Sequence, residues 1–148
     1  MDLEVFLSYS HRDEKLRDEL MTHLRPLERQ GLISGWYDRK ILPGNEWNGE
    51  IHNHLNTAHI ILLLVSSAFI SSKYCYDIEM VRAMERHEKK DSCVIPIILR
   101  KCDWQGAPFG KLQALPTDAK PVIGGGWKNR DEAFTNIAYG IRPIVNEL

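Results

Sequence analysis

The sequence has few cysteines, no long apolar run and no excess of either charge. Its three cysteines, Cys75, Cys93 and Cys102, form no CxxC pair. An odd, scattered set argues against a disulfide framework or a zinc cluster and points to a reducing compartment. The longest unbroken apolar run, Ile60–Val65, is six residues, far below the roughly 20 that cross a bilayer, so no membrane partner is expected. Lys plus Arg number 19 against 20 Asp plus Glu, a net charge of −1. A chain held on nucleic acid by bulk charge would be more basic, so no nucleic-acid partner is expected either. Met1 is followed by Asp-Leu-Glu, without a basic stretch and apolar segment. No secretory signal is read, and the expected setting is cytoplasmic. GxGxxG, GxxxxGK[ST] and GxSxG are all missing, which removes the dinucleotide fingerprint, the P-loop and the hydrolase elbow.

What is present is an ordinary globular composition: 148 residues, 43% hydrophobic and 26% charged. That suits a single domain over residues 1–148, expected to be part of a longer protein. Leu3–Leu7 is short and apolar, as a buried strand is. Asp13 is placed to cap a helix. Leu16, Leu20, Leu24 and Leu27 form its apolar stripe, Pro26 predicts a kink or an early end, and Gly31 reads as the residue past its C-terminus. Leu32–Asp38 is a second strand and Trp47–Leu55 a short helix. Ile60–Val65 is the clearest strand, apolar on both faces. Ser71 or Ser72 can cap a helix running to about Lys89. Cys93–Leu99 is a fourth strand, where Pro96 marks an edge or a bulge. Pro121–Ile123 is a short fifth, and Asp131–Glu147 the last helix. Strictly alternating strands and helices predict an α/β fold, a five-stranded parallel sheet with helices on both faces.

Open sheets of this kind bind ligands beyond the carboxyl ends of their strands. Those ends carry Ser8–His11, Asp38–Asn45, Ser66–Ser72 and Arg100–Trp104. A response regulator would want an acidic pair after the first strand and an Asp after the third; Ser8-Tyr9-Ser10 and Ser66-Ser67 stand there instead. The polar and aromatic candidates are Tyr9, Ser10, Arg39, Lys40, Trp47, Tyr74 and Glu79. Aromatic rings stack on a base or a nicotinamide, and cationic side chains meet phosphate oxygens. A carboxylate can hold ribose hydroxyls. The set suits a nucleotide.

Several linked motifs resemble a Toll/interleukin-1 receptor (TIR) domain of bacterial type. Phe6-Leu-Ser-Tyr-Ser-His11 resembles the family's first box. Trp36-Tyr-Asp-Arg-Lys-Ile-Leu-Pro-Gly44 resembles the second box and its loop. Ile61–Ser67 and Ser72–Met80 resemble the third strand and the helix after it. Asp103-Trp104, Leu115-Pro116 and Lys120-Pro121-Val122 resemble later segments. The resemblance implies a flavodoxin-like fold and two kinds of work. Some members only dock other TIR domains. Others cleave NAD+ between nicotinamide and ribose, releasing ADP-ribose or a cyclic isomer, with an essential Glu on the helix after the third strand; Glu79 matches it. Cys75 stands four positions earlier, where many catalytic members carry an aromatic, and Asp77 is a second carboxylate nearby. The resemblance further implies activation by self-assembly into an oligomer or filament, the loop Ile41-Leu42-Pro43-Gly44 contacting a neighbour, and a setting in bacterial antiviral immunity.

Such cleavage needs few groups. In NAD+ the nicotinamide is a cationic leaving group, so no strong general acid is required, and the transition state is oxocarbenium-like. A carboxylate beside the ribose stabilises the developing charge. NAD+ is then substrate, and no cofactor is expected. On an α-helical wheel, Tyr76, Met80, Ala83, Met84 and His87 form an apolar stripe, Arg82 and Arg86 a polar side, and Glu79 their boundary. A surface Glu paired with Arg82 is the plain alternative for Glu79, a loop turn and cap for Tyr9 and Ser10, and helix packing for Trp47. His52 and His54 do not share a helical face, so no metal site is expected. Two further readings stay open: a non-catalytic adaptor acting through TIR–TIR contact, and a sensor that holds NAD+ without cleaving it.

Overall fold

A computed structural model describes residues 2–37, 44 and 47–148, with Trp47, Asn48 and Glu50 described in the backbone only. The expectations for Arg39, Lys40, Ile41, Leu42 and Pro43 therefore lie outside the described residues. The elements are β1 (Leu3–Ser8), α1 (Glu14–Arg29), β2 (Ile33–Trp36), α2 (Trp47–Thr57), β3 (Ile60–Val65), α3 (Ser67–Ser71), a π-helical segment (Lys73–Met80), α4 (Val81–Glu88), β4 (Cys93–Ile98) and α5 (Arg130–Glu147).

Among the described residues the sheet has four parallel strands in the order β2-β1-β3-β4. All six side chains of β3 are fully buried. Ile60, Leu62 and Leu64 face one core with Leu16, Leu20, Leu24 and Leu27 of α1 and Phe134, Ile137 and Ile141 of α5. Ile61, Leu63 and Val65 face the other, with Ile51 and Leu55 of α2, Phe69 of α3, and Met80, Ala83 and Met84. The period of two along an all-apolar strand thus feeds two layers of helices, as a buried parallel sheet requires.

Helix α1 runs three residues beyond Pro26. It ends where Gly31 takes φ +71°, a left-handed conformation that costs glycine little. Gly31 N–H donates to Glu28 O and Leu32 N–H to Leu27 O, both at 3.0 Å, the paired bonds of a Schellman cap.

The expected fifth strand is corrected. Pro121–Ile123 makes only an isolated bridge, Ile123 to Arg100, and Leu115 makes another to Ile97. The two pieces share the outer edge of β4, where Leu115 N–H donates to Pro96 O and Val122 N–H to Ile98 O. Pro116 and Pro121 have no N–H to extend either piece. Pro96 sits as its chemistry demands, on the edge strand of the described sheet: the N–H groups of Val94 and Ile98, two residues to either side, point away from β3 to His87 Nδ1 and Leu115 O, so the nitrogen of Pro96 shares the outward side.

Two further placements differ from the sequence reading. Asp13 stands at the start of α1 without a side-chain capping bond; its buried carboxylate instead accepts from Ser66 Oγ and from Arg100 Nε (3.0 Å). Arg86, read as surface, is buried and donates to Leu55 O (2.8 Å), Ala58 O (2.8 Å) and Asp91 O (3.0 Å).

Candidate active site

The strand order reverses between β1 and β3, and in this topology the crevice for a ligand opens beyond their carboxyl ends. A cleft of about 290 Å³ lies there, reaching from the end of β1 to the π-helical segment. Tyr9, Ser10, Tyr74 and Glu79 all line it, so the structure brings together four of the residues picked from the sequence. Trp47 starts α2, the helix whose Ile51 forms one wall.

Ser72 caps the π-helical segment by accepting from Cys75 N–H (3.1 Å). The wider π turn changes which residues face inward, and such turns concentrate at functional sites. Cys75, Glu79 and Met80 are the buried residues of this segment. Glu79 is only 6% exposed, so it is not the surface residue that an α-helical wheel puts at a boundary. Ser8 Oγ, at the end of β1, donates to Glu79 Oε1 at 2.6 Å. The Arg82 guanidinium meets Asn56 Oδ1 (2.6 Å) and Glu85 Oε2 (3.3 Å). Asp77, the second carboxylate of the stretch, is exposed and does not line the cleft.

Two bonds fix Tyr9. Its carbonyl accepts the Cys75 S–H at 3.2 Å, tying β1 to the π-helical segment. Its hydroxyl accepts from the Arg17 guanidinium, which also lies over the rings of Tyr9 (4.8 Å) and Tyr37 (4.3 Å). Burial works against the Arg17 charge, but hydrogen bonds and charge interactions with Asp18 and Tyr9 together more than offset it and raise its pKa. Ser10 Oγ accepts from Arg12 N–H at 3.3 Å as the cap of the turn His11–Asp13, which is the plain role weighed for it.

The sequence reading missed Ser8, His11 and Arg12 as site residues. His11 and Arg12 line the cleft, Arg12 as an exposed guanidinium. Their signal lay in the polar run that ends an apolar strand. Ser8's partner is 71 positions away, and no local pattern carries that.

The site is thus a cleft at the switch point of an α/β sheet, with a buried carboxylate held by a strand-end serine and an arginine in the lining. The family model for the TIR domain matches residues 5–124, and the chain belongs to that family. It is 56% identical over 144 residues to the uncharacterized protein y4lF of Sinorhizobium fredii, covering 97% of this chain and 44% of that protein. The chain therefore spans less than half the length of this relative. The TIR domain of the Toll-related receptor TRR-2 from Hydra magnipapillata has the same fold, with a TM-score of 0.62 at 21% identity over 93% of this chain and 97% of that one. The TIR domains of the activated Roq1 resistosome, which directly recognizes the pathogen effector XopQ, give a TM-score of 0.53 at 26% identity over 68% of this chain and 59% of that one. Among the described residues no helix is long and apolar enough to cross a membrane.

Proposed function

We propose that this TIR domain cleaves NAD+ at the nicotinamide–ribose bond, giving nicotinamide and ADP-ribose or a cyclic isomer. The observation that supports it most is Glu79, a buried carboxylate in the lining of the switch-point cleft with one oxygen held by Ser8. Asp13 is also buried, but outside the cleft and paired with Arg100; Glu79 is buried in the cleft lining itself, where a ligand can meet it.

The chemistry follows from these groups. The C1′–N bond breaks and its electron pair leaves with nicotinamide, which was the cationic ring and departs neutral. No acid is needed for that departure. Positive charge develops on the ribose, and Glu79 stabilises it while accepting from ribose hydroxyls. Tyr74 and Trp47 supply stacking surface. Arg12, with Arg39 and Lys40, supplies cations for the diphosphate. Attack by water gives ADP-ribose; attack by a group of the substrate itself gives a cyclic product.

The active form in this reading is an assembly of TIR domains, with Ile41, Leu42, Pro43 and Gly44 contacting a neighbour. The resistosome relative is a named assembly of TIR domains, and that supports an assembled, immune-type role, here bacterial antiviral defence. Cys75, Cys93 and Cys102 form no disulfide, which suits a cytoplasmic setting. Incubating concentrated protein with NAD+ and following nicotinamide tests the reading. Release supports it. Bound NAD+ without release favours a sensor, and neither favours an adaptor.

A further inference from the structure

We propose that Ser8 is the positioning residue for the Glu79 carboxylate. This rests on the reading of Glu79 as the catalytic group.

Ser8 is the last residue of β1, 1% exposed and paired in register with Leu63 of β3. Its backbone is therefore fixed by the centre of the sheet, the most rigid part of the fold. Glu79 sits on a π-helical turn and carries its carboxylate on a long side chain with rotamer freedom to lose. The 2.6 Å bond from Ser8 Oγ to Glu79 Oε1 holds one carboxylate oxygen and limits the rotamers open to the side chain. Ser8 is absent from the cleft lining, whereas Glu79 is part of it. Ser8 thus acts through Glu79 and does not touch substrate. Sites are held to useful precision when a packed partner on a rigid element locks the reacting side chain.

The same strand ends provide a control. Ser66 follows β3 as Ser8 ends β1, and its hydroxyl likewise meets a buried carboxylate, that of Asp13. Ser66 lies outside the cleft lining. A loss caused by general loosening of the strand ends would strike both serines; a loss caused by misplacing Glu79 would strike Ser8 alone.

The test measures kcat, KM and melting temperature for Ser8→Ala, Ser8→Cys, Ser8→Thr, Ser66→Ala and Glu79→Gln, with nicotinamide release from NAD+ as the activity. Ser8→Ala is expected to lose about 10- to 100-fold in kcat, with KM within about twofold of wild type. Ser8→Thr keeps the hydroxyl and restores most of kcat. Ser8→Cys keeps a small side chain with a weaker donor and falls between them, which reports on the bond even where Ser8→Ala folds poorly. Ser66→Ala keeps wild-type kcat. Wild-type kcat in Ser8→Ala beside an inactive Glu79→Gln overturns the positioning role and leaves Glu79 as the catalytic group. Equal kcat losses in Ser8→Ala and Ser66→Ala overturn it too. A fully active Glu79→Gln, or a wild-type chain that releases no nicotinamide, overturns the Glu79 reading and the positioning role with it.

Discussion

Replacing Arg86 by Met should destabilise the domain more than any change to its neighbour Arg82. Arg86 spans from α4 to the end of α2 and the turn before β4, giving one guanidinium to three backbone carbonyls at 2.8, 2.8 and 3.0 Å. Two of these, Leu55 O and Ala58 O, belong to the C-terminal end of α2, where orphan carbonyls gather and the helix dipole is negative. Met fills much of the stem volume but leaves all three carbonyls without this donor. A charged hydrogen bond contributes about 1.5–3 kcal/mol, and a buried acceptor left unmade costs about 1–3. Against this, Met spares the desolvation of a buried charge, which lowers the Arg86 pKa. The balance is a loss of about 3 kcal/mol, or about 10 °C in melting temperature for a domain of this size. Arg82 is an exposed-side partner of Asn56 and Glu85, and Arg82→Ala should cost less than about 1 kcal/mol. Denaturant titration of both variants, followed by circular dichroism and tryptophan fluorescence, checks this. A loss below about 1 kcal/mol for Arg86→Met, or equal losses for the two variants, refutes the reasoning.

Two further outcomes concern ligand and assembly. Trp47→Ala should weaken NAD+ binding by about 5- to 150-fold, the loss of about 1–3 kcal/mol for one stacked ring, without shifting the melting temperature; a large melting drop with unchanged binding would make Trp47 a packing residue. Ile41→Asp with Leu42→Asp should lower both self-association in light scattering and nicotinamide release, whereas Glu79→Ala should lose release and keep association. A double variant that stays fully active in dilute solution would remove the loop from assembly.

The fold was legible where a pattern is local and repeated. The apolar run of β3 and the leucine stripe of α1 needed only their own periodicity, and Gly31 needed only its place after the stripe. Legibility failed where a long-range partner decides. Asp13 has the chemistry of a cap, but Ser66 and Arg100 compete for its carboxylate. Arg86 reads as surface because its acceptors are carbonyls, which sequence does not single out. The short stretch at Pro121–Ile123 has the composition of a strand, yet it shares the edge of β4 with Leu115 and never lengthens into one. Glu79 was singled out by its residue type and lies in the cleft, but a wheel drawn for an α-helix put it at a boundary. The π-helical turn moves it inside, and the hydroxyl that holds it comes from the far end of another element.

Nicotinamide release from NAD+ by concentrated, assembled protein, run beside Glu79→Gln and Asp77→Ala, bears on the catalytic reading most directly. Wild type and Asp77→Ala should release nicotinamide at similar rates, because Asp77 is exposed and off the cleft. Glu79→Gln, which keeps the shape but removes the charge, should lose about 100-fold or more, as loss of a preorganised stabilising group does. A silent wild type, or a Glu79→Gln variant as active as wild type, would contradict it.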